Sequence, residues 1–95
     1  MSSIYVGETM EAQALYKEGG ATLIDPGTLV VTVTAPNGVA VNYTYGTDSQ
    51  VTRLSLGTYL CRVAATAAGG YKFLFTFTTG GVVDIEAIKF QVLTL

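Results

Sequence analysis

Tyr71-Lys72-Phe73-Leu74-Phe75-Thr76-Phe77-Thr78 is the stretch that decides the fold of this chain. Successive side chains of a β-strand point to opposite faces, so the four aromatic rings share one face and the other four side chains share the opposite face. No other segment of the chain alternates as strongly. The stretch therefore predicts a central strand of a sheet, with Phe73 and Phe75 carrying the core.

The chain on both sides of this stretch also favours strands. Val, Ile and Thr make 29 of its 95 residues, and β-branched side chains pack well on a pleated sheet but lose rotamer freedom in a helix. Further strands are predicted over residues 9–17, 22–24, 28–35, 39–45, 51–54, 58–65, 82–86 and 88–92. Roughly seven to nine short strands with frequent turn signals predict an all-β, antiparallel β-sandwich, and the length predicts a single domain over 1–95.

Turns are predicted where Gly, Pro and Asn interrupt the alternation. Pro36-Asn37-Gly38 predicts a hairpin turn, because Asn and Gly tolerate the positive φ that such turns require. Asp25-Pro26-Gly27 predicts a break between strands. The pairs Gly19-Gly20, Gly69-Gly70 and Gly80-Gly81 match no phosphate-binding pattern and are also predicted to be hairpin turns.

The charge of the chain argues against nucleic acid as a partner. Five Lys or Arg and seven Asp or Glu give a net charge of -2, and charged residues are 13% of the chain against a usual share of about 25%. Like charges are not clustered. Because nucleic-acid binding depends on a basic face that meets phosphates, we expect none.

The reactive residue types are too few or too scattered to predict an enzyme. The chain has no His and one Cys, which removes the usual base for a serine nucleophile and the usual ligands of a zinc site. The seven carboxylates lie on different predicted strands and turns, and we expect them to be solvated surface groups rather than a catalytic pair. We therefore expect no catalytic residue, no metal and no cofactor.

Cys61 shares a predicted strand face with Tyr59 and Val63. One interpretation is a reactive thiol, and the other is a small buried hydrophobic residue. Because no basic residue shares that face, we expect a buried and unreactive side chain.

Neither a secretory signal nor a membrane span is predicted. The first eight residues have no basic start and no long apolar run. The apolar stretches of the chain are broken by Thr, Gly or Lys and fall short of the roughly 18 to 20 residues that cross a bilayer. We expect a protein of the cytoplasm in which it is made, without membrane contact.

The alternation also places apolar side chains opposite the predicted core faces. These side chains are Leu15, Val30, Leu60, Leu74 and Leu93. A contiguous apolar patch would mark a partner surface, and few charges are available to defend open strand edges. We take Leu74 and Leu93 as candidate protein-contact residues; the alternative is that they form the second face of a buried sheet.

Several short motifs follow one another along the chain. They are Tyr5-Val6-Gly7-Glu8-Thr9-Met10, the run DPGTLVVTVTAPNG over residues 25–38, Tyr43-Thr44-Tyr45-Gly46, Leu56-Gly57-Thr58-Tyr59, Gly69-Gly70-Tyr71-Lys72-Phe73 and Thr79-Gly80. Their order resembles the small immunoglobulin-like virion structural proteins of tailed bacteriophages. The resemblance covers nearly the whole chain.

The resemblance implies an immunoglobulin-like sandwich and a non-enzymatic structural role in the virion. From it we expect a capsid decoration or cement protein that is present in the particle in many copies or as a homo-oligomer and binds the major capsid protein or other virion proteins. A head-neck or tail component, including one that attaches a tail fibre, is the alternative. The resemblance assigns no binding role to any particular residue of this chain. Gly57-Thr58-Tyr59 resembles the start of the strand whose Tyr packs at a sheet corner.

A small carbohydrate- or surface-binding sandwich is an alternative of a different class. Such a site usually presents exposed Trp or Tyr beside acidic groups in a groove. The chain has no Trp, and most of its Tyr residues are predicted to lie on core faces.

Overall fold

The structure is a computed structural model that describes residues 4–18 and 22–94, and these residues contain ten β-strands and no helix. The strands are β1 (Ile4–Tyr5), β2 (Thr9–Leu15), β3 (Lys17–Glu18), β4 (Thr22–Leu23), β5 (Thr28–Thr34), β6 (Ala40–Thr44), β7 (Val51–Ser55), β8 (Thr58–Ala64), β9 (Gly69–Thr79) and β10 (Val82–Leu93). The predicted all-β class is confirmed. The number of strands exceeds the prediction because β1 and β3 have two residues each, too few to show a period of two.

Two sheets form a β-sandwich. The larger sheet has the order β1-β10-β9-β5-β6, and the smaller one has the order β2-β8-β7. β3 and β4 pair separately as a short hairpin. The antiparallel prediction is wrong at one edge, because β1 runs parallel to the end of β10. The chain crosses from one sheet to the other between β1 and β2, which no local alternation reveals.

The two longest strands, β9 and β10, form the spine of the larger sheet. Their pairing runs without a register shift from Val82 opposite Thr79 to Val92 opposite Gly69. The two strands predicted over 82–86 and 88–92 are therefore one, because Ala87 continues the ladder opposite Leu74.

Gly69 and Gly70 are not a turn, as the sequence suggested, but the first two residues of β9. Gly69 has a φ of 125°, and a Cβ at this position would lie 2.7 Å from the Cβ of Pro36. Glycine is required there so that the Pro36 turn can approach the strand. The turns at Pro36-Asn37-Gly38 and Gly80-Gly81 are as predicted, whereas Gly19-Gly20 lies outside the described residues.

The aromatic face of β9 lies in the centre of the core. Phe73, Phe75 and Phe77 are at most 1% exposed, as the alternation predicts. Tyr16 stacks on Phe77 with ring centroids 4.9 Å apart. Because each buried aromatic side chain removes a large apolar area from water, this row contributes strongly to the hydrophobic stabilisation between the sheets.

The corner that leads into β9 is held by Tyr71. Its hydroxyl accepts hydrogen bonds from the backbone N–H groups of Thr66 and Ala67, at 3.2 and 3.1 Å. The resemblance predicts that Tyr59 is the tyrosine that packs at a sheet corner. Tyr59 is instead a core residue of β8 whose hydroxyl donates to Asp25.

Candidate contact surface and grooves

The outward side of the larger sheet is a candidate contact surface, which we call the uncharged face. The register aligns four strands, so that Thr44, Val30, Thr76 and Ile85 form one row across β6, β5, β9 and β10. Thirteen residues without an ionisable group make up the face: Thr28, Val30, Thr32, Thr34, Ala40, Asn42, Thr44, Leu74, Thr76, Thr78, Val83, Ile85 and Ala87. Lys72 and Lys89, which are paired across the strands, bound it at one end.

The uncharged face is partly apolar. Val83 and Ile85 are 56% and 59% exposed at its outer edge, and Thr32 donates a 2.7 Å hydrogen bond to Asn42 across it. Given the usual spacing of strands and residues, the face covers roughly 400 Å². A stable protein interface buries about 800 Å² on each partner, so a single contact through this face would be weak.

The two predicted contact residues lie on this side of the sheet but not together. Leu74 is half-buried in the middle of the uncharged face, where it pairs with Ala87 and Thr32. Leu93 is 37% exposed and lies six residues beyond Ala87 along β10, or about 20 Å. Lys89 lies between them, so they do not form one patch.

Of the other apolar residues expected opposite the core, Leu15 is exposed and Val30 is half-buried on the uncharged face. Leu60 also lies on the face opposite the core, as expected, but it is buried rather than exposed. It lies on the central strand of the smaller sheet, between Gln13 and Thr52, whose side chains flank it.

Sequence reasoning did not find the uncharged face. The available signal was Thr on one face of two separate strands, namely Thr28, Thr32 and Thr34 in β5 and Thr76 and Thr78 in β9. Only the register shows that these positions adjoin. Val83 and Ile85 then extend the same surface onto β10.

An apolar groove of about 450 Å³ opens beside β6. Val33, Val41, Tyr43 and Tyr71 contribute to its lining. Val41 pairs with the buried Val33, and so faces the inside of the sandwich, yet it is 46% exposed. The smaller sheet has three strands against five and leaves this part of β6 uncovered.

A more polar groove of about 470 Å³ surrounds Tyr45. The ring of Tyr45 is 41% exposed and meets Tyr59 edge-on at 5.2 Å. Asp48 and Arg53 also line this groove, but each has a structural partner. Asp48 accepts a 2.8 Å bond from the backbone N–H of Thr44, and Arg53 pairs with Asp25.

Asp25 is the most strongly bonded carboxylate of the described residues. Its Oδ1 accepts from Nε of Arg53 at 3.1 Å, from the backbone N–H of Gly57 at 3.0 Å and from the hydroxyl of Tyr59 at 3.0 Å. The Arg53 bond and then the Gly57 bond lower the pKa of Asp25 to about 2. A carboxylate so stabilised in its charged form is a poor base, and its place between distant segments suits a structural role.

The other reactive groups offer little chemistry. Cys61 is fully buried, as predicted, and desolvation raises the pKa of its thiol to about 11. No cluster of three metal-ligating side chains occurs within residues 4–18 and 22–94. The same residues include no helix long and apolar enough to cross a membrane.

No family model matches the chain, and no curated protein matches it. Among solved structures, the chain is similar to an endo-β-1,4-mannanase from Thermotoga petrophila, with a TM-score of 0.65 and 15% sequence identity. The match covers 100% of this chain and 18% of the mannanase chain. At this identity the likeness shows a shared fold alone, and it supports the β-sandwich.

Proposed function

We propose that the sandwich is immunoglobulin-like. In that fold one sheet of three or four strands packs on another that an extra strand pair can enlarge, and a Tyr near the start of a late strand bonds to the backbone a few residues upstream. The strand orders β2-β8-β7 and β1-β10-β9-β5-β6 support this proposal. So does Tyr71, the third residue of β9, which bonds to Thr66 and Ala67.

We further propose that the protein is a non-catalytic structural component of a bacteriophage particle that decorates the capsid by binding the major capsid protein. A head-neck or tail position is the alternative within the same class. The observation that carries the proposal is the uncharged face, whose Val83 and Ile85 are more than half exposed. Such a surface suits a protein partner, because contact costs no desolvation of charge.

The small size of the uncharged face is consistent with a particle component. Two linked sites can exceed the affinity of either alone by about 10² to 10⁴, because the second contact forms at a high effective concentration. A particle presents many copies of its shell protein side by side. A protein that binds weakly to one free subunit can therefore occupy the finished particle when its own copies also touch.

The test is binding to particles assembled without this chain, measured by sedimentation and cryo-electron microscopy on heads and tails separately. We expect ordered binding to heads that the double variant Thr28→Lys/Thr76→Lys abolishes, because it places two charges on the uncharged face. Thr9→Lys/Thr52→Lys is the matched control, since it adds the same charges through exposed residues of β2 and β7. Binding only to tails selects the alternative position, and binding to neither overturns the proposal.

Carbohydrate binding is a second candidate, favoured by the exposed ring of Tyr45 beside Asp48, Ser49 and Arg53. The solved structure to which the chain is similar is a mannanase, but that likeness carries no substrate. The candidate predicts that soluble β-1,4-mannan perturbs the amide signals of residues 45–53 in an NMR titration. Tyr45→Ala would remove the effect, whereas Tyr5→Ala, which truncates another exposed Tyr, would not.

A further inference from the structure

The outer edge of β10 is the longest strand edge without a partner in residues 4–18 and 22–94. β9 covers one side of β10 along its whole length, while β1 covers the other side only at Val92 and Leu93. Residues 82–91 therefore expose one side of their backbone. The segment has no Pro and no bulge, the devices that commonly blunt such edges.

The direction of the exposed backbone groups follows from one hydrogen bond. The carbonyl oxygen of Leu93 accepts from the N–H of Val6 at 3.0 Å, so the backbone groups of Leu93 point away from β9. Because this direction alternates along a strand, those of Ile85, Ala87 and Lys89 also point away from β9. The open edge thus offers regularly spaced donors and acceptors for another strand.

The side chains along this edge divide into two kinds. Val83 and Ile85 point to the uncharged face and are exposed. Asp84 and Glu86 point to the opposite side, where they line a groove of about 580 Å³ with Gln13, Leu15 and Lys17 of the neighbouring segment. The ion pairs found among the described residues are Arg53 with Asp25 and Arg62 with Glu11, so neither Asp84 nor Glu86 takes part in one.

We propose that residues 82–91 of β10 bind an extended segment of another protein as an added strand, and that this segment alternates apolar and basic side chains. Its apolar residues would lie beside Val83 and Ile85, and its Lys or Arg residues beside Asp84 and Glu86. The backbone bonds supply affinity and the alternate side chains supply selectivity. The inference deepens the proposed function and rests on it, because it names the element that docks on the virion partner.

The charges disfavour a second copy of this chain at the same edge. When two copies of one strand pair across a two-fold axis that continues the sheet, side chains on the same face become neighbours. Asp84 and Glu86 would then meet each other, or Ile88 and Phe90, since Lys89 lies on the opposite face. Like charges opposite each other are destabilising, so these inward carboxylates guard the edge against self-pairing while admitting a basic segment.

The experiment uses the full chain and three synthetic peptides long enough to span residues 82–91: alternating Val and Lys, alternating Val and Thr, and alternating Val and Glu. Affinity is measured by fluorescence anisotropy, and the site by NMR. We expect the Lys peptide to bind about fivefold more tightly than the Thr peptide, and the Glu peptide more weakly than both. The amide signals of Ile85, Ala87 and Lys89 should move.

Two variants separate the contribution of the backbone hydrogen bonds to peptide binding from that of the charges. Ala87→Pro removes an outward N–H without removing a bond to β9, and it should weaken Lys-peptide binding by at least about tenfold. Ala87→Ser keeps the N–H and is its matched control. Asp84→Asn/Glu86→Gln should abolish the preference for Lys over Thr while leaving Thr-peptide binding unchanged.

Several results would overturn the inference. One is that no peptide binds, in which case Asp84 and Glu86 only guard the edge. A second is that the amide NMR signals that the peptides shift belong to residues away from β10. This result is obtained with the parent chain, so it is decisive even if Ala87→Pro fails to fold. A third is a concentration-dependent dimer in sedimentation that uses β10. Capsid binding without peptide binding defeats this inference alone, and peptide binding without particle binding defeats the proposed function alone.

Discussion

The hydroxyl of Tyr59 donates a 3.0 Å hydrogen bond to Oδ1 of Asp25, a residue 34 positions earlier in the chain. The same oxygen accepts from Arg53 and Gly57, so it joins the Asp25-Pro26-Gly27 segment to β7, to the turn that follows and to β8. A connecting segment that the sequence marks only as a break is thereby fixed to the smaller sheet.

We expect the stability of the protein to fall at acid pH in a manner that depends on Asp25. The hydrogen bond from Arg53, then that from Gly57, lowers the pKa of Asp25 from 3.8 to about 2 in the folded protein. A lowered pKa contributes stability above pH about 4, and this contribution is lost as the pH falls toward 2. Urea denaturation from pH 2 to pH 7 should show a smaller decline for Asp25→Asn than for the parent. Equal declines would contradict this role.

Gly57→Ala should destabilise the fold more than Gly80→Ala. Gly57 and Gly80 have φ values of 66° and 56°, so an Ala is strained by about 1 to 2 kcal/mol at either site. A Cβ on Gly57 would also lie 2.8 Å from the carbonyl oxygen of Tyr16 and 2.9 Å from that of Ile24, whereas Gly80 has nothing within 4 Å. Urea denaturation measures the free energy of unfolding of both variants. Equal decreases would show that the backbone around Gly57 can move to accommodate a Cβ atom.

Tyr71→Phe should lower the free energy of unfolding by about 1 to 2 kcal/mol. The substitution removes the hydroxyl that accepts from Thr66 and Ala67 and leaves their N–H groups to find water. Tyr43→Phe is the control, because Tyr43 is half-buried and its hydroxyl has no protein hydrogen bond among the described residues. A loss no greater than that of the control would argue against a structural role for the corner.

Phe75→Ala should lower the free energy of unfolding by roughly 3 to 5 kcal/mol, because it leaves a cavity where a ring with 0% exposure stood. Thr76→Ala changes the next residue, which points to the uncharged face, and should cost far less. Thermal and urea denaturation measure both. A similar effect of the two substitutions would mean that the aromatic row is not the centre of the core.

Cys61 should resist a thiol reagent in the folded protein and react fully after denaturation. Burial excludes the reagent, and desolvation raises the pKa of the thiol to about 11, so little thiolate is present at neutral pH. Ser49→Cys in a Cys61→Ala background places a thiol at an exposed loop position and should react at once. Rapid labelling of Cys61 at a rate independent of unfolding would contradict its burial.

Most of the strand pattern could be predicted because a period of two is a local property of neighbouring residues. The burial of the β9 rings follows from alternation alone. The turn at Pro36-Asn37-Gly38 follows from backbone preference, since Gly38 adopts a positive φ. The candidate site could not be predicted in the same way. Alternation places Leu74 opposite the core, but its neighbours Thr32 and Ala87 belong to other strands and depend on the register of the sheet.

The sequence by itself determined that this protein is built of strands, that the four aromatic residues of β9 share one face of that strand and that Cys61 is buried, since each follows from side-chain chemistry and a two-residue repeat. Only the tertiary structure decided which strands are neighbours. It placed Thr28 beside Thr78, joined Asp25 to Tyr59, and left one edge of residues 82–91 open. Pairing between distant segments depends on register and sheet order, which are set by the packing of the whole chain rather than by any segment of it.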